Sequence, residues 1–164
     1  MSIKQEIVSF LDGLSIPYEY HIHPPAHTIE ACLAMPFITD DVTICKNLFL
    51  CNRQQTQYYL LLLRPDTVFR TSAVSKALGS SRLSFAPEDS LPILLHLTSG
   101  SVSPFGLIYD HDHQIVLAAE AAVKATPRIA FHPCDNTATV VLAQDDFWHR
   151  VIPALGAEPR LLEL

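Results

Sequence analysis

The chain has 164 residues, of which 49% are hydrophobic and 17% charged, and a formal net charge of −6. A chain this long suits one domain that buries roughly 70% of its extended surface, so a core needs neither metal nor disulfide. The acidic balance argues against a protein that wraps a polyanionic backbone. No apolar run reaches about 18 residues and no secretory leader is recognisable, so a cytoplasmic protein is expected, without a membrane span.

The first turns read as an amphipathic helix, with Ile3, Ile7, Phe10, Leu11 and Leu14 at helical spacing and Gly13 and Pro17 marking its end. Tyr18 to His23 alternates as a strand stopped by Pro24-Pro25, and Thr28 is placed to cap a short helix through about Met35. Two strand-like runs, Thr43 to Cys51 and Tyr58 to Leu63, flank a polar connection and predict a β-hairpin. A helix over Ser72 to Leu78 should close at Gly79, and Pro87-Glu88-Asp89 should start another that runs to about Leu97. Beyond the Gly100 to Gly106 loop the pattern predicts strands at Leu107 to Tyr109 and Ile115 to Ala118, with a turn at Asp110 to His113 between them. A helix around Glu120 to Lys124, strands at Arg128 to Phe131 and Thr137 to Ala143, and a helix from Asp145 complete the chain. Several connections are too short for a parallel crossover, so the expected fold is a single α+β domain over residues 1–164, a mixed, mostly antiparallel sheet with flanking helices.

The four cysteines, Cys32, Cys45, Cys51 and Cys134, form no C-x-x-C pair and read as reduced thiols. His21-Ile22-His23 and Asp110-His111-Asp112-His113 hold ligand-type side chains, but each lacks a further ligand set, so no metal or other cofactor is expected. The eleven Lys and Arg residues read as scattered, so any RNA contact should be local.

Three polar islands stand out in the apolar background: Lys46-Asn47-Leu48-Phe49-Leu50, Gly100-Ser101-Val102-Ser103-Pro104-Phe105-Gly106-Leu107, and Phe131-His132-Pro133-Cys134-Asp135-Asn136-Thr137-Ala138-Thr139-Val140. A lysine among apolar strand residues meets an anion or reaches the sheet edge, and strand alternation should keep Lys46 and Asn47 on opposite faces. The same alternation should point Cys45 away from Lys46. Glycines in the loop let backbone groups approach a ligand, and Pro104 fixes one dihedral. An imidazole such as His132 can exchange protons near neutral pH or serve as a structural hydrogen-bonding residue, and Asn136 and Thr137 are equally at home as turn formers.

In this order and across nearly the whole chain, these islands resemble the YbaK/prolyl-tRNA synthetase-associated domain family, and within it the alanyl-tRNA(Pro) deacylase branch. The resemblance implies a free-standing enzyme that hydrolyses the ester of mischarged tRNA(Pro) without a metal. It implies that Lys46 and His132 are catalytic, with His132 shaping the pocket and hydrogen bonding. It further implies a substrate wall made of Asn47, Gly100, Ser101, Val102, Ser103, Pro104, Phe105, Gly106, Asn136 and Thr137. The implied partners are the acceptor end of mischarged tRNA(Pro) and prolyl-tRNA synthetase; oligomeric state is not implied. The chain departs from its relatives at Ser99, where proline is common, at Cys45, where threonine is common, and at Ala118-Ala119-Glu120, where an aspartate is usual. Cysteinyl-tRNA(Pro) or seryl-tRNA as substrate, a non-catalytic RNA-binding or regulatory paralogue, and a metal- or thiol-dependent hydrolase stay open as alternatives.

Overall fold

In the computed structural model, residues 1–97 and 100–164 are described. The expected departure at Ser99 lies outside them. The elements are, in order, α1 (Ile3–Gly13), β1 (Tyr18–Ile22), α2 (Ile29–Leu33), β2 (Val42–Ile44), β3 (Lys46–Cys51), β4 (Tyr58–Leu63), α3 (Thr71–Leu78), β5 (Ser84–Phe85) and α4 (Ser90–Leu94). There follow a 3-10 helix at Pro104–Tyr109, β6 (Ile115–Glu120), a 3-10 turn at Ala121–Lys124, β7 (Arg128–Phe131) and β8 (Ala138–Ala143). A helical stretch from α5 (Gln144–Asp146) through a π-helical turn (Phe147–Val151) to α6 (Ile152–Ala154) precedes β9 (Arg160–Leu162).

The α+β class and the mixed strand pairing are as expected, but the strands divide into two sheets. The first runs β1-β8-β7-β2 and the second β5-β3-β4-β6-β9. The pairs β1–β8, β7–β8, β3–β4 and β3–β5 are antiparallel, and β2–β7, β4–β6 and β6–β9 are parallel. The division corrects the reading of Thr43 to Cys51 as one strand: β2 ends in the first sheet, Cys45 crosses, and β3 begins in the second. No turn residue marks that crossing, because the chain passes between two packed sheets and stays apolar throughout.

Strand alternation then sorts the side chains into layers. Phe49, Leu60 and Leu62 of the second sheet meet Ile129, Phe131, Val140 and Leu142 of the first in the largest core cluster, with Ile7 and Leu11 of α1 and Phe147 and Trp148 of the C-terminal helix. Leu50, Leu61 and Leu63 face the other way and are covered by Val74 and Leu78 of α3. Val42, Ile44, Ala130 and Val141 line the outer face of the first sheet, where Cys32 of α2 packs on them.

Local signals were obeyed where they were strong. Ser2 caps α1 in a full capping box, Thr28 caps α2 by accepting from Ala31 N at 3.1 Å, and Gly79 ends α3 at φ +65°. Three expectations fail. The strand at Leu107 to Tyr109 is instead part of the 3-10 helix, since Ser103 Oγ accepts from Phe105 N and Pro104 supplies the first helical dihedral. The helix from Pro87 to Leu97 is the shorter α4, preceded by a turn in which Ser90 N donates to Pro87 O at 2.9 Å. The helix around Glu120 begins one residue later as a 3-10 turn, because Glu120 is the last residue of β6.

Pro104, Phe105 and Gly106 are core residues. Phe105 is fully buried and meets Phe131 and Phe147 edge-on, with ring centroids 5.9 and 6.5 Å away. A Cβ on Gly106 would lie 3.1 Å from Leu97 Cδ1. Phe105→Ala should therefore lower the free energy of unfolding by about 3–5 kcal/mol in urea titrations. An unchanged midpoint would return Phe105 to the ligand-facing wall that the sequence suggested.

Candidate functional site

A cavity of about 150 Å³ opens where β2 crosses into β3. One side is the entry to α2, from Ala26 through Ile29 to Cys32; the opposite side is Cys45, Lys46 and Asn47; Gly100, Val102 and His132 close it. The structure thus gathers one or more residues from each of the three islands. It also corrects the expectation that Lys46 and Asn47 serve different surfaces. Their side chains do alternate, but the cavity lies across the end of the strand, where both reach it, and Cys45 joins them from the crossing.

Lys46 is half-buried and donates from Nζ to the backbone carbonyl of Thr67. That carbonyl is held in place from below. Glu120, buried at the end of β6, accepts from Arg64 N at 3.0 Å and from Thr67 Oγ1 at 2.8 and 3.0 Å. The carboxylate noted only as a departure is therefore the clamp of the loop that carries the lysine's partner. An ammonium has three donors, so after one bond to Thr67 two are available to an anion or hydroxyl.

Asn47 donates from Nδ2 to Val102 O at 3.1 Å, tying β3 to the Gly100 loop. This fixes the amide orientation, since the reverse assignment would set oxygen against oxygen. Its Oδ1 is buried and has no partner among the described residues. A buried acceptor left so costs about 1–3 kcal/mol, which a donor on a bound ligand would recover.

His132 is buried and sits in a defined tautomer. Nδ1 lies 2.8 Å from Ala138 O, a group that only accepts, so Nδ1 carries the proton. Nε2 is left as an acceptor, 3.5 Å from Cys32 Sγ, whose S–H donates to it. Burial holds the imidazole pKa below the ordinary 6.5, with the adjacent His23 acting in the same direction. His23 donates from Nδ1 to Pro24 O and accepts at Nε2 from Thr139 Oγ1, each at 2.8 Å. The thiol forms are favoured over thiolates: burial pushes Cys32 up and, with Glu120 adding to it, pushes Cys45 up further.

Gly100 has φ +87°, and a Cβ there would find Asn136 Nδ2 and His27 Nδ1 at 3.9 Å, so the glycine answers a backbone demand and not a lack of space. Asn136 donates to His27 Nδ1 at 3.1 Å beside it, at the cavity's edge. The remaining proposed wall residues lie elsewhere. Ser103 is buried as a helix cap, Ser101 is buried and does not line the cavity, and Thr137 accepts from Lys4 Nζ at 2.9 Å while donating to Asp135. His27, Thr28 and Cys32 escaped the sequence reading, because nothing in a short capped helix says which sheet it will cover.

The other ligand-type clusters have structural partners. His21 bonds Glu19 and stacks on Phe37 at 3.9 Å, and Asp110 accepts from Gln114 N and Ile115 N to close its turn. Among the described residues no three His, Cys, Asp or Glu side chains converge on one point. A wider groove of about 740 Å³ runs beside α1, but its Lys4 and Tyr18 are already bonded to Thr137 and Asp12.

A small polar pocket with a neutral imidazole, an ammonium and an unpartnered carbonyl, set in two packed mixed sheets, finds its class by comparison. Residues 23–148 match the model of the aminoacyl-tRNA editing domain, so the chain belongs to that family and is an aminoacyl-tRNA hydrolase. It is 35% identical over 164 residues to the prolyl-tRNA editing protein ProX of Acetoanaerobium sticklandii, covering 100% of this chain and 99% of that one. It is 30% identical to the mouse prolyl-tRNA synthetase associated domain-containing protein 1, covering 98% and 95%. A crystal structure described as a candidate trans-editing enzyme for prolyl tRNA synthetase superposes with a TM-score of 0.74 at 15% identity, covering 100% of this chain and 99% of that one, and shares the fold.

The depressed pKa of His132 has a consequence for stability. The unfolded chain takes up a proton near pH 6.5 and the folded one resists until lower pH, so folding is favoured fully above 6.5 and progressively less as pH falls below it. His132→Gln should flatten the decline in urea stability between pH 7.5 and pH 5. A decline as steep as in the parent would mean that the imidazole is free to ionise in the folded state.

Proposed function

We propose that the whole chain, residues 1–164, acts as one editing domain that hydrolyses the ester of mischarged tRNA(Pro), with alanyl-tRNA(Pro) as substrate. The observation that carries this reading is the convergence of Lys46, Asn47, Gly100, Val102 and His132 on one small cavity. At about 150 Å³ it is half the roughly 300 Å³ at which sites for drug-sized molecules begin, room for an aminoacyl group of few heavy atoms. Lys46 would use its free donors on the terminal phosphate or ribose. Asn47 Oδ1 would accept from the α-ammonium of the aminoacyl group, which recovers its missing hydrogen bond. The Gly100 and Val102 backbone would form the wall, and His132 would shape the pocket, its Nε2 exchanging the weak bond from the Cys32 S–H for one from water or a ribose hydroxyl. No side chain is poised to form an acyl-enzyme among the described residues, so the attacking group in this reading is water, helped by a hydroxyl of the terminal ribose.

Selectivity would follow from size. A hydrophobic contact discriminates one methylene by about 1–3 kcal/mol, so a synthetase that accepts alanine in place of proline gains from a second, smaller sieve. Relatives named for prolyl-tRNA editing and for association with prolyl-tRNA synthetase support tRNA(Pro) as the carrier, the synthetase as a partner and the cytoplasm as the place of action. No helix in the described residues is long and apolar enough to cross a membrane.

Single-turnover deacylation of alanyl-, cysteinyl-, seryl- and prolyl-tRNA(Pro) checks this directly. Alanine should be released fastest, with Lys46→Ala slowing the step by roughly 10²-fold or more and a chelator leaving it unchanged. Preference for cysteine or serine would move the substrate. Hydrolysis of none would make the chain a binding module.

A further inference from the structure

Charge is not scattered in the folded protein. Six of the eleven Lys and Arg residues, Lys46, Arg53, Arg64, Arg70, Lys76 and Arg82, lie between positions 46 and 85, where Asp66 is the single carboxylate of the chain's seventeen. The rest of the chain is correspondingly acidic. This stretch is β3, β4, α3 and β5, one edge of the second sheet together with the helix that covers its outer face. All of these cations except the half-buried Lys46 are exposed. Arg64 meets Asp66 at 3.4 Å, whereas among the described residues the charged ends of Arg53, Arg70, Lys76 and Arg82 have neither a hydrogen bond nor an ion pair. Elsewhere, by contrast, Arg128 is held by Glu19 and Asp41, and Lys4 by Thr137.

The same surface carries exposed apolar groups. Phe85, on the two-residue edge strand β5, is 61% exposed and tilts against Phe69 with ring centroids 5.6 Å apart; Val68 beside it is 68% exposed. Val68 and Phe69 directly follow Thr67, the residue whose carbonyl holds Lys46 at the cavity. At the other end, Arg53 N donates to Ser81 Oγ, which brings the tip of the β3–β4 hairpin against the segment that bears Arg82. Single exposed hydrophobics need no explanation. Aromatics set among unpartnered cations on a chain of net charge −6 do, because that pairing is what single-stranded nucleic acid requires: cations for phosphates and a ring for a base.

We propose that this face, α3 with the 64–70 loop and β5, is the docking surface for the acceptor end of the tRNA, and that Phe85 stacks on an unpaired nucleotide of its 3′ end. The path runs from Arg70 and Lys76, at the start and in the last turn of α3, across Phe85 and Phe69 to Thr67 and Lys46, so the terminal nucleotide arrives at the cavity from the outer side of the second sheet. The acidic remainder of the molecule repels the body of the tRNA and confines contact to this patch. The proposal rests on the reading of the chain as an enzyme of charged tRNA, and it adds where on the protein that RNA lies.

The test uses an uncharged hairpin of the tRNA(Pro) acceptor stem, with and without its unpaired 3′ nucleotides, and reads binding to the full chain by fluorescence anisotropy between 50 and 200 mM salt. The triple variant Arg70→Ala/Lys76→Ala/Arg82→Ala should weaken binding at least about tenfold at low salt and reduce the slope of log Kd against log salt by about two to three. Phe85→Ala should weaken binding on the order of tenfold only for the hairpin that carries the unpaired end. A control of equal charge loss outside the patch, Lys124→Ala/Arg150→Ala/Arg160→Ala, should bind as the parent does. Parent-like binding and salt slope in the triple variant, an equal loss in the control, or no binding by the parent protein would overturn the proposal. Because the hairpin is uncharged, binding is read independently of hydrolysis, so a protein that binds through this face but deacylates nothing would refute the activity alone.

Discussion

The constraint on which the rest of this structure depends is the passage of the chain from one sheet to the other through a single residue, Cys45. A strand that ended in a loop would leave its last side chains in solvent. Here β2 is paired to β7 on one side of the crossing and β3 to β4 on the other, so the backbone of Cys45, Lys46 and Asn47 is held by both sheets. The ends of the two strands leave a gap that neither sheet fills, and the cavity occupies it. Rigid elements position functional groups better than loops do, and this crossing supplies three consecutive residues on rigid backbone.

Around that crossing the charges are arranged with economy. Buried Glu120 is satisfied by Arg64 N and Thr67 Oγ1, and through Thr67 it sets the position of the Lys46 ammonium without touching it. Burial favours the neutral forms of His132, of Cys32 across the cavity and of Cys45 next to the lysine. Among the described residues Lys46 is the one lysine or arginine on the cavity wall. A negatively charged phosphate meets little competition there, and a low-dielectric wall strengthens the interaction.

Much of the fold could be read in the sequence because its signals are local. The periodicity of α1, the apolar run of β4 and the glycine that closes α3 each work within about ten residues, and these three elements are present as expected. The misses share one cause, which is dependence on residues distant in the chain. The run Thr43 to Cys51 looks continuous, and only the separate pairings of its two halves divide it. β5 and β9 span two and three residues and exist only through pairing with β3 and β6. At the site, the islands around Lys46, Gly100 and His132 were legible as motifs. His27 and Cys32 were not, since their place on the wall depends on α2 packing over the first sheet. The reach of the Gly100 island was over-read: its first and third residues line the cavity, whereas Pro104, Phe105 and Gly106 turn into the core.

The central claim is that the crossing at Cys45, and not the wider groove beside α1, receives the aminoacyl end of the substrate. NMR titration with an alanyl-adenosine analogue, joined through a 3′-amide that resists hydrolysis, tests this most directly. The account predicts that amide shifts move at Lys46, Asn47, Gly100, Val102 and His132 and stay still at Lys4, Val8 and Tyr18. Movement in the groove with a silent crossing would contradict it.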